Sequence, residues 1–215
     1  MEKRILSVDF DYIMYPCIKL YNEYINTLEN STVMWNNLDK RYAINDHLSY
    51  DANALKSIQS IMLKNISKGA IFVPIKDHDE IVKNDIINNW ISEGHKLMIM
   101  NIDYHHDLGY SDDTLESVME FDEYDCSNWV SYLHLKGFLS DYYWIKAPTS
   151  DMPTIDVRDV LTFNINDIDV LEPNYDIVFF ALSEPWIPYK YQHLYHLITN
   201  SCNEMYNLVK KGDKK

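Results

Sequence analysis

Short apolar runs recur along the chain, separated by segments in which apolar residues follow a helical spacing. The runs that predict buried strands, the two weakest last, are residues 4–10, 70–75, 96–102, 142–147, 175–182, 160–165 and 168–171. The segments that predict helices are residues 17–30, 52–67, 79–93 and 186–210. Strands that alternate with helices favour an α/β domain with a mainly parallel sheet.

The chain length and the even spread of these patterns favour one domain. We expect residues 1–210 to form it and residues 211–215 to be a polar tail. The acidic segment 108–125 is expected to cross the surface, and the proline-containing segment 148–158 is expected to be a loop.

Composition narrows the partners and the compartment. The net charge of −14 argues against nucleic acid and anionic membrane surfaces, and it favours a metal or a cationic substrate, although acidity can serve solubility alone. No window reaches the roughly 18 apolar residues of a membrane helix. Asp9 and Asp11 interrupt the region where a signal peptide is apolar, and three cysteines occur without a CxxC pair. These features predict a reduced, cytoplasmic protein.

Four predicted strands end in polar clusters: "VDFDY", "KDHDE", "NIDYHHD" and "LSEPW". In parallel sheets, ligands bind outside the carboxyl ends of the strands. The sequence therefore predicts that these clusters, although far apart along the chain, meet at one edge of one sheet.

The third cluster contains Asp103, His105 and Asp107 at alternate positions. Alternate residues of an extended segment point to the same side, so two carboxylates and one imidazole would face one ligand. That donor set suits manganese, iron or zinc better than magnesium or calcium. His106 would point away, to pack or to orient a ligand. The alternative is a solvated polar loop.

Two further clusters complete the candidate set. Asp9 and Asp11 repeat the alternating pattern, with a surface turn or an Asp11 helix cap as the alternative. His78 could bind a metal, with Asp77 or Asp79 orienting it, or it could cap or pack. Four carboxylates and two histidines suffice for two ions about 3.5–4 Å apart, a pair that makes a nucleophile from water at neutral pH.

The three clusters resemble motifs of the arginase (ureohydrolase) superfamily. "KDHDE" is similar to its Gly-Gly-Asp-His segment, "DYHHD" to Asp-Ala-His-x-Asp, and "SVDFDYIMYP" to Ser-x-Asp-x-Asp-x-x-x-Pro. The order of "KDHDEIV", "DYHHDL", "SNWV" and "YYWIKAP" resembles a branch of uncharacterised arginase-like proteins, and the early "VDFDY" resembles the peptide arginases of ribosomal peptide (RiPP) maturation. The resemblance implies a three-layer αβα fold in which the Asp-x-Asp strand is permuted to the N-terminus.

The resemblance also implies a ligand set and a reaction. Two Mn²⁺ ions would be held, the first by Asp9, His78, Asp103 and Asp107, and the second by Asp9, Asp11, Asp103 and His105. The enzyme would hydrolyse arginine residues in a precursor peptide, giving ornithine and urea.

The catalytic and substrate-binding residues follow from the same resemblance. Glu184 is our candidate for anchoring the guanidinium group, unless it is an ordinary loop glutamate, and Trp186 would wall the pocket or pack. His134 and His106 are candidates for the proton shuttle, and Asn128 for lining the site.

Three alternatives stay open at this point. The substrate could be a free guanidino compound such as arginine or agmatine. The strand that ends at "VDFDY" also resembles the start of haloacid dehalogenase-like phosphatases, in which Asp9 would be the nucleophile beside one Mg²⁺. A binding or immunity-type protein with a degenerate site is the third alternative.

Overall fold

The structure is a computed structural model that describes residues 1–15, 31–43, 46, 48–109, 112–150, 152, 160–162, 165 and 174–212. Its strands are β1 (Glu2–Asp9), β2 (Met14–Tyr15), β3 (Ser49–Tyr50), β4 (Ile71–Ile75), β5 (Lys96–Asp103), β6 (Leu139–Lys146), β7 (Val160–Thr162) and β8 (Ile177–Ala181). Its helices are α1 (Ser31–Tyr42), α2 (Ala52–Ser67), α3 (Glu80–Lys83), α4 (Asp85–Ser92), α5 (Asp112–Phe121), α6 (Trp129–Leu135) and α7 (Tyr189–Gly212). Two 3₁₀ turns follow β1 and β8, at Phe10–Ile13 and Glu184–Trp186.

Six of these strands form one sheet in the order β4-β8-β1-β5-β6-β7, and every neighbouring pair is parallel. Strands β2 and β3 form a separate antiparallel pair. The central strand β1 is held on both sides, with Ile5 opposite Ile99 of β5 and opposite Ile177 of β8. All six carboxyl ends therefore lie at the same edge of the sheet.

Helices cover both faces of the sheet. On one face, α2 and α7 bury Ile58, Met62 and Ile198 against sheet residues such as Val8. On the other face, α3, α4 and α6 bury apolar side chains against Ile5 and its neighbours. The three layers confirm the predicted α/β class, because a sheet with two apolar faces needs a helical layer on each.

Most predicted elements appear close to their expected bounds, since buried apolar runs specify strands directly. The predicted helix over 79–93 is split into α3 and α4 because Asn84 leaves the helical conformation and caps α4, its side chain accepting from Ile86 N–H at 3.0 Å. The acidic segment expected at the surface contains α5. The predicted helix over 17–30 and the weak strand at 168–171 lie outside the described residues.

Helix α7 continues to Gly212, so it includes the first two residues of the expected polar tail. No helix in the described part of the chain combines the length and apolar character that crossing a membrane requires.

Candidate metal centre

Six acidic and histidine side chains from three segments converge at the carboxyl edge of the sheet. Asp9 ends β1, and Asp11 lies in the 3₁₀ turn that follows. His78 lies in the turn between β4 and α3. Asp103 ends β5, and His105 and Asp107 follow within the next loop. The predicted convergence is therefore present in the fold.

Three carboxylates surround one nitrogen of His78. Its Nδ1 atom lies 2.9 Å from Asp107 Oδ2, 3.2 Å from Asp103 Oδ2 and 3.7 Å from Asp9 Oδ2. One imidazole N–H can donate to one acceptor at full strength, so it cannot satisfy three buried carboxylates. Ligand atoms at right angles around an ion, with bonds of about 2.1 Å, lie about 3.0 Å apart. The spacing around His78 fits a coordination shell.

A second group forms around His105. Its Nδ1 atom lies 3.0 Å from Asp11 Oδ2 and 3.9 Å from Asp103 Oδ1. The Asp11 Oδ2 atom is buried and finds no partner of hydrogen-bond geometry among the described residues. A buried carboxylate oxygen without such a partner is costly, and a cation would satisfy it.

The two groups share Asp103. Ligand atoms of Asp9, His78 and Asp103 lie within 4.8 Å of one another, and so do those of Asp11, Asp103 and His105. Asp103 offers one oxygen to each histidine. This is the arrangement that a bridging carboxylate between two ions requires, whereas the second proposed bridge, Asp9, belongs to the His78 group alone.

We had expected extended segments whose alternate side chains face the ligand. The backbone instead brings these side chains together by tight turns. The extended conformation stops at Asp9, whose side chain caps the 3₁₀ turn by accepting from Asp11 N–H at 2.9 Å. The strand ends at Asp103, and Asp107 has a φ of 53°, in the left-handed region. A non-glycine residue in that region is strained, and such residues cluster at functional sites.

Burial dominates the electrostatics of the carboxylates. It raises the pKa of Asp9 to about 6, against the charge of His78 and with that of Asp103. Burial, followed by the charge of Asp103, raises the pKa of Asp107 to about 7. Burial and the charges of Asp9 and Asp103 raise the pKa of Asp11 well above its usual value. Like charges crowded in a low-dielectric site thus hold protons.

The pKa values of the two histidines are raised by nearby carboxylates, although burial alone would lower them. Burial opposes protonation of His78, but the charge of Asp9 and the hydrogen bonds to Asp103 and Asp107 hold its pKa well above the usual value. Burial likewise opposes protonation of His105, but Asp11 raises its pKa to about 9. Burial alone would raise the pKa of Asp103, yet His78 and His105 hold it below its usual value. Without metal, protons balance the cluster, and a divalent cation would replace them.

Four buried side chains that the sequence did not single out hold these ligands in place. Ser183 hydrogen-bonds Asp9 through its hydroxyl, and Ser7 Oγ lies 3.3 Å from His78 Nε2. Asn101 Nδ2 donates to Asp103 Oδ2 at 3.0 Å, and Trp129 Nε1 donates to Asp107 Oδ2 at 2.6 Å. A polar residue inside an apolar strand, such as Ser7 or Asn101, was the available signal.

We had suggested that Asp77 or Asp79 orients His78, but their described contacts are with other residues. The Asp77 backbone N–H donates to the Glu80 side chain, and the Asp79 carboxylate pairs with Lys83. Both groups cap or flank α3, and the described partner of His78 Nε2 is Ser7 of strand β1.

Glu184 and Trp186 lie in the 3₁₀ turn after β8, at the same edge as the cluster. The Glu184 carboxylate is partly exposed and lies 3.2 Å from Lys76 Nζ. The Trp186 ring centroid is 4.6 Å from that of His105, the most exposed of the six candidate ligands. Both residues therefore stand where a substrate would approach the cluster.

The other predicted catalytic residues have different surroundings. Asn128 is buried before α6 and accepts from Asp125 N–H through Oδ1 at 2.8 Å. His106 is also buried, accepts from Leu108 N–H through Nδ1 at 3.1 Å, and packs edge-on against Trp144. These contacts give both side chains a role in shaping the loops beside the cluster.

No described contact joins His134 to the cluster, so its role as a proton shuttle stays a prediction. It is exposed in the last turn of α6, next to Gly137 and the start of β6. Helix α6 begins at the carboxyl edge of the sheet and runs towards the amino edge, where Leu139 pairs with Leu97. His134 lies five residues beyond Trp129, which is roughly 7.5 Å further along the helix axis.

The fold and the site define a three-layer α/β protein with a buried aspartate and histidine cluster that could hold metal ions at the carboxyl edge of its sheet. In comparison with known proteins, no family model, no curated protein and no solved structure matches the chain.

Proposed function

We propose that the protein is a binuclear manganese hydrolase that acts on the guanidinium group of arginine residues in a peptide. The reaction adds water across the bond between the guanidinium carbon and Nε, and it leaves ornithine in the peptide and urea in solution. The observation that carries the proposal is the paired arrangement of His78 and His105 around Asp103, each with further carboxylates close by.

The residues fit two divalent ions. His78, Asp9, Asp103 and Asp107 would hold one, and His105, Asp11 and Asp103 the other, with Asp9 as a further candidate ligand. Mixed carboxylate and imidazole donors suit manganese, iron or zinc. Two such ions lower the pKa of water towards neutrality and offset the charge of the carboxylates. The buried Asp11 Oδ2 atom, 3.0 Å from His105 Nδ1, is placed to bind the second ion.

Glu184 is the proposed anchor for the substrate. It follows Ser183, which hydrogen-bonds Asp9, so its backbone is fixed relative to the cluster. Its contact with Lys76 demonstrates that the carboxylate accepts a cation in this position. A guanidinium group could replace the ammonium and form two parallel hydrogen bonds with the carboxylate. Trp186 would flank the bound group beside His105.

Charge supports a cationic peptide as substrate. The net charge of −14 favours encounter with a cationic chain. An open cavity of about 640 Å³ lies beside Asn128 and is lined by Lys83, Ser117, Asp122, Glu123, Tyr124, Asp125 and Asn128. The six candidate ligands are not among these lining residues, so the choice of a peptide as substrate rests on the charge.

The phosphatase alternative has less support. That mechanism gives no role to His78, His105 or Asp107, whose convergence is the main feature of the site.

Urea release tests the proposal. Purified protein loaded with Mn²⁺ would be incubated with arginine-bearing peptides, free arginine, agmatine and a phosphate monoester. We expect urea and a mass loss of one CH₂N₂ unit from peptides, and no phosphate release. Loss of urea in Asp103→Asn, with retention in the exposed variant Asp85→Asn, would assign the reaction to the cluster. Urea that persists in Asp103→Asn, or phosphate release that requires Asp9, would reject it.

A further inference from the structure

Three consecutive residues at the start of α6 hold the loop that carries Asp107. Trp129 Nε1 donates to Asp107 Oδ2 at 2.6 Å, and Val130 N–H donates to the Asp107 carbonyl at 3.2 Å. Ser131 Oγ donates to the Leu108 carbonyl at 2.6 Å. We refer to residues 129–131 as the α6 clamp. Each member donates one hydrogen bond, two of them to Asp107 and one to Leu108. The clamp therefore fixes both the backbone and the side chain of Asp107.

The loop needs such a restraint. Asp107 is in the left-handed region at φ 53°, which costs about 1–3 kcal/mol for a non-glycine residue and persists only where the surroundings over-determine it. The clamp supplies these surroundings. Trp129 is completely buried and its ring also lies against the His78 ring, with centroids 5.7 Å apart. The indole therefore contacts two of the candidate ligands to the same ion.

The contact between Trp129 and Asp107 also restrains the orientation of the Asp107 carboxylate. Asp107 Oδ2 accepts the indole N–H and lies 2.9 Å from His78 Nδ1. A carboxylate held by a hydrogen bond from one side cannot rotate away from its neighbouring ligand. Partners of this kind orient metal ligands, and their removal lowers metal affinity by about 10–100-fold.

We propose that Trp129 is a positioning residue that presets Asp107 beside His78 and thereby sets the affinity of the ion that these two residues bind. The inference rests on the metal site of the proposed function and not on the guanidinium chemistry. It predicts that the two ions differ in their dependence on Trp129, because the indole contacts Asp107 and His78, which are candidate ligands of the same ion.

The chain offers a matched control. Trp35 is also buried, and its Nε1 atom donates at 3.2 Å to the backbone carbonyl of Pro185, which is not a candidate ligand. Changing either tryptophan to phenylalanine removes one indole N–H and a similar volume from the core. Only Trp129→Phe releases a ligand side chain, so loosened packing and lost positioning can be separated.

Calorimetric titration of the metal-free proteins with Mn²⁺ tests the proposal, with electron paramagnetic resonance reporting the number of ions bound. We expect Trp129→Phe to weaken one of two binding events by about 10–100-fold. Trp35→Phe should keep both affinities within about threefold of the wild type, with a comparable loss of thermal stability. Ser131→Ala should weaken the same event by a smaller factor, and it keeps the proposal testable if Trp129→Phe does not fold.

Several outcomes would overturn the proposed role of Trp129 in positioning Asp107. They are unchanged affinities in Trp129→Phe or Ser131→Ala, equal losses in both tryptophan variants, or weakening of both ions together. Wild-type protein that binds no Mn²⁺ would overturn both this positioning role and the proposed metal site. Protein that binds two ions with the expected variant effects, yet releases no urea, would contradict only the proposed reaction.

Discussion

Oδ2 of Asp103 lies 3.2 Å from Nδ1 of His78, and both side chains are almost completely buried. The other oxygen of Asp103 faces His105, so one carboxylate connects the two halves of the cluster. No other residue of the cluster contacts both histidines among the described ion pairs. Asp103 is therefore the position at which a single change should affect both ions.

Asp103→Asn should lower Mn²⁺ affinity by at least about a hundredfold, the upper end of the effect of an outer-shell partner, because the change removes charge from a ligand itself. Calorimetric titration measures this, with Asp85→Asn in the exposed first turn of α4 as the control. Affinity within tenfold of the wild type would mean that Asp103 does not bridge.

Ser183 combines a hydrogen bond to Asp9 with a left-handed backbone, φ 48°. Ser183→Ala and Ser183→Gly both lose the hydroxyl, and both should weaken Mn²⁺ binding by about tenfold. Glycine tolerates the backbone conformation that strains alanine, so the glycine variant should be more stable by about 1 kcal/mol. Urea denaturation measures the difference. A less stable glycine variant would argue against strain at this position.

The metal-free protein should lose stability as the pH rises from 5 to 9. The folded-state pKa values of Asp9, Asp107 and His105 are raised to about 6, 7 and 9. The folded state therefore keeps protons that the unfolded chain has released, and its stability falls with rising pH. The lowered pKa of Asp103 acts only in more acidic solution.

The expected fall in the unfolding midpoint is at least about 5 °C, since one pKa unit is about 1.4 kcal/mol and 1 kcal/mol moves the midpoint by about 2–4 °C in a chain of this size. Thermal unfolding of chelator-treated protein measures it. Added Mn²⁺ should stabilise more at pH 8 than at pH 6, because it competes with fewer protons. A midpoint that rises with pH in the metal-free protein would contradict the charge distribution described here.

Lys76 should compete with the substrate for Glu184. The two side chains lie 3.2 Å apart, and the contact raises the pKa of Lys76 above its usual value. Lys76→Met removes the ammonium and should lower the KM for an arginine-bearing peptide by no more than a few-fold, because exposed ion pairs are weak. Glu184→Gln should raise KM or lower kcat/KM instead. Opposite signs in the two variants identify Glu184 as the anchor, whereas no change in either would place the anchor elsewhere.

The sequence predicted the sheet well because buried parallel strands are apolar runs that need no tertiary information. Strands β1, β4, β5, β6 and β8 all lie within the predicted runs or extend them by a few residues. Helix α6 was missed because "WVSYLHL" is short, and its buried face shows only in contact with Ile99 and Trp144 of the sheet.

The candidate ligands could be found because carboxylates and histidines are rare at the ends of apolar strands. The expected extended backbone was wrong, because the 3₁₀ turn at Asp11 and the left-handed conformation of Asp107 place the side chains. Neither feature is visible as a pattern in the sequence. The surroundings of His134 follow from the direction of α6, which only the folded sheet defines.

The first strand of the chain has a late partner. Strand β1 carries Asp9, and one of its two neighbours is β8, near the C-terminus. Contacts between such distant segments form slowly, and a nascent chain exposes β1 long before β8 is synthesised. Ser183, which orients Asp9, follows β8 and is equally late. Ions captured by the first half of the chain would therefore lack this support, and metal loading should belong to maturation of the finished polypeptide instead of to its synthesis.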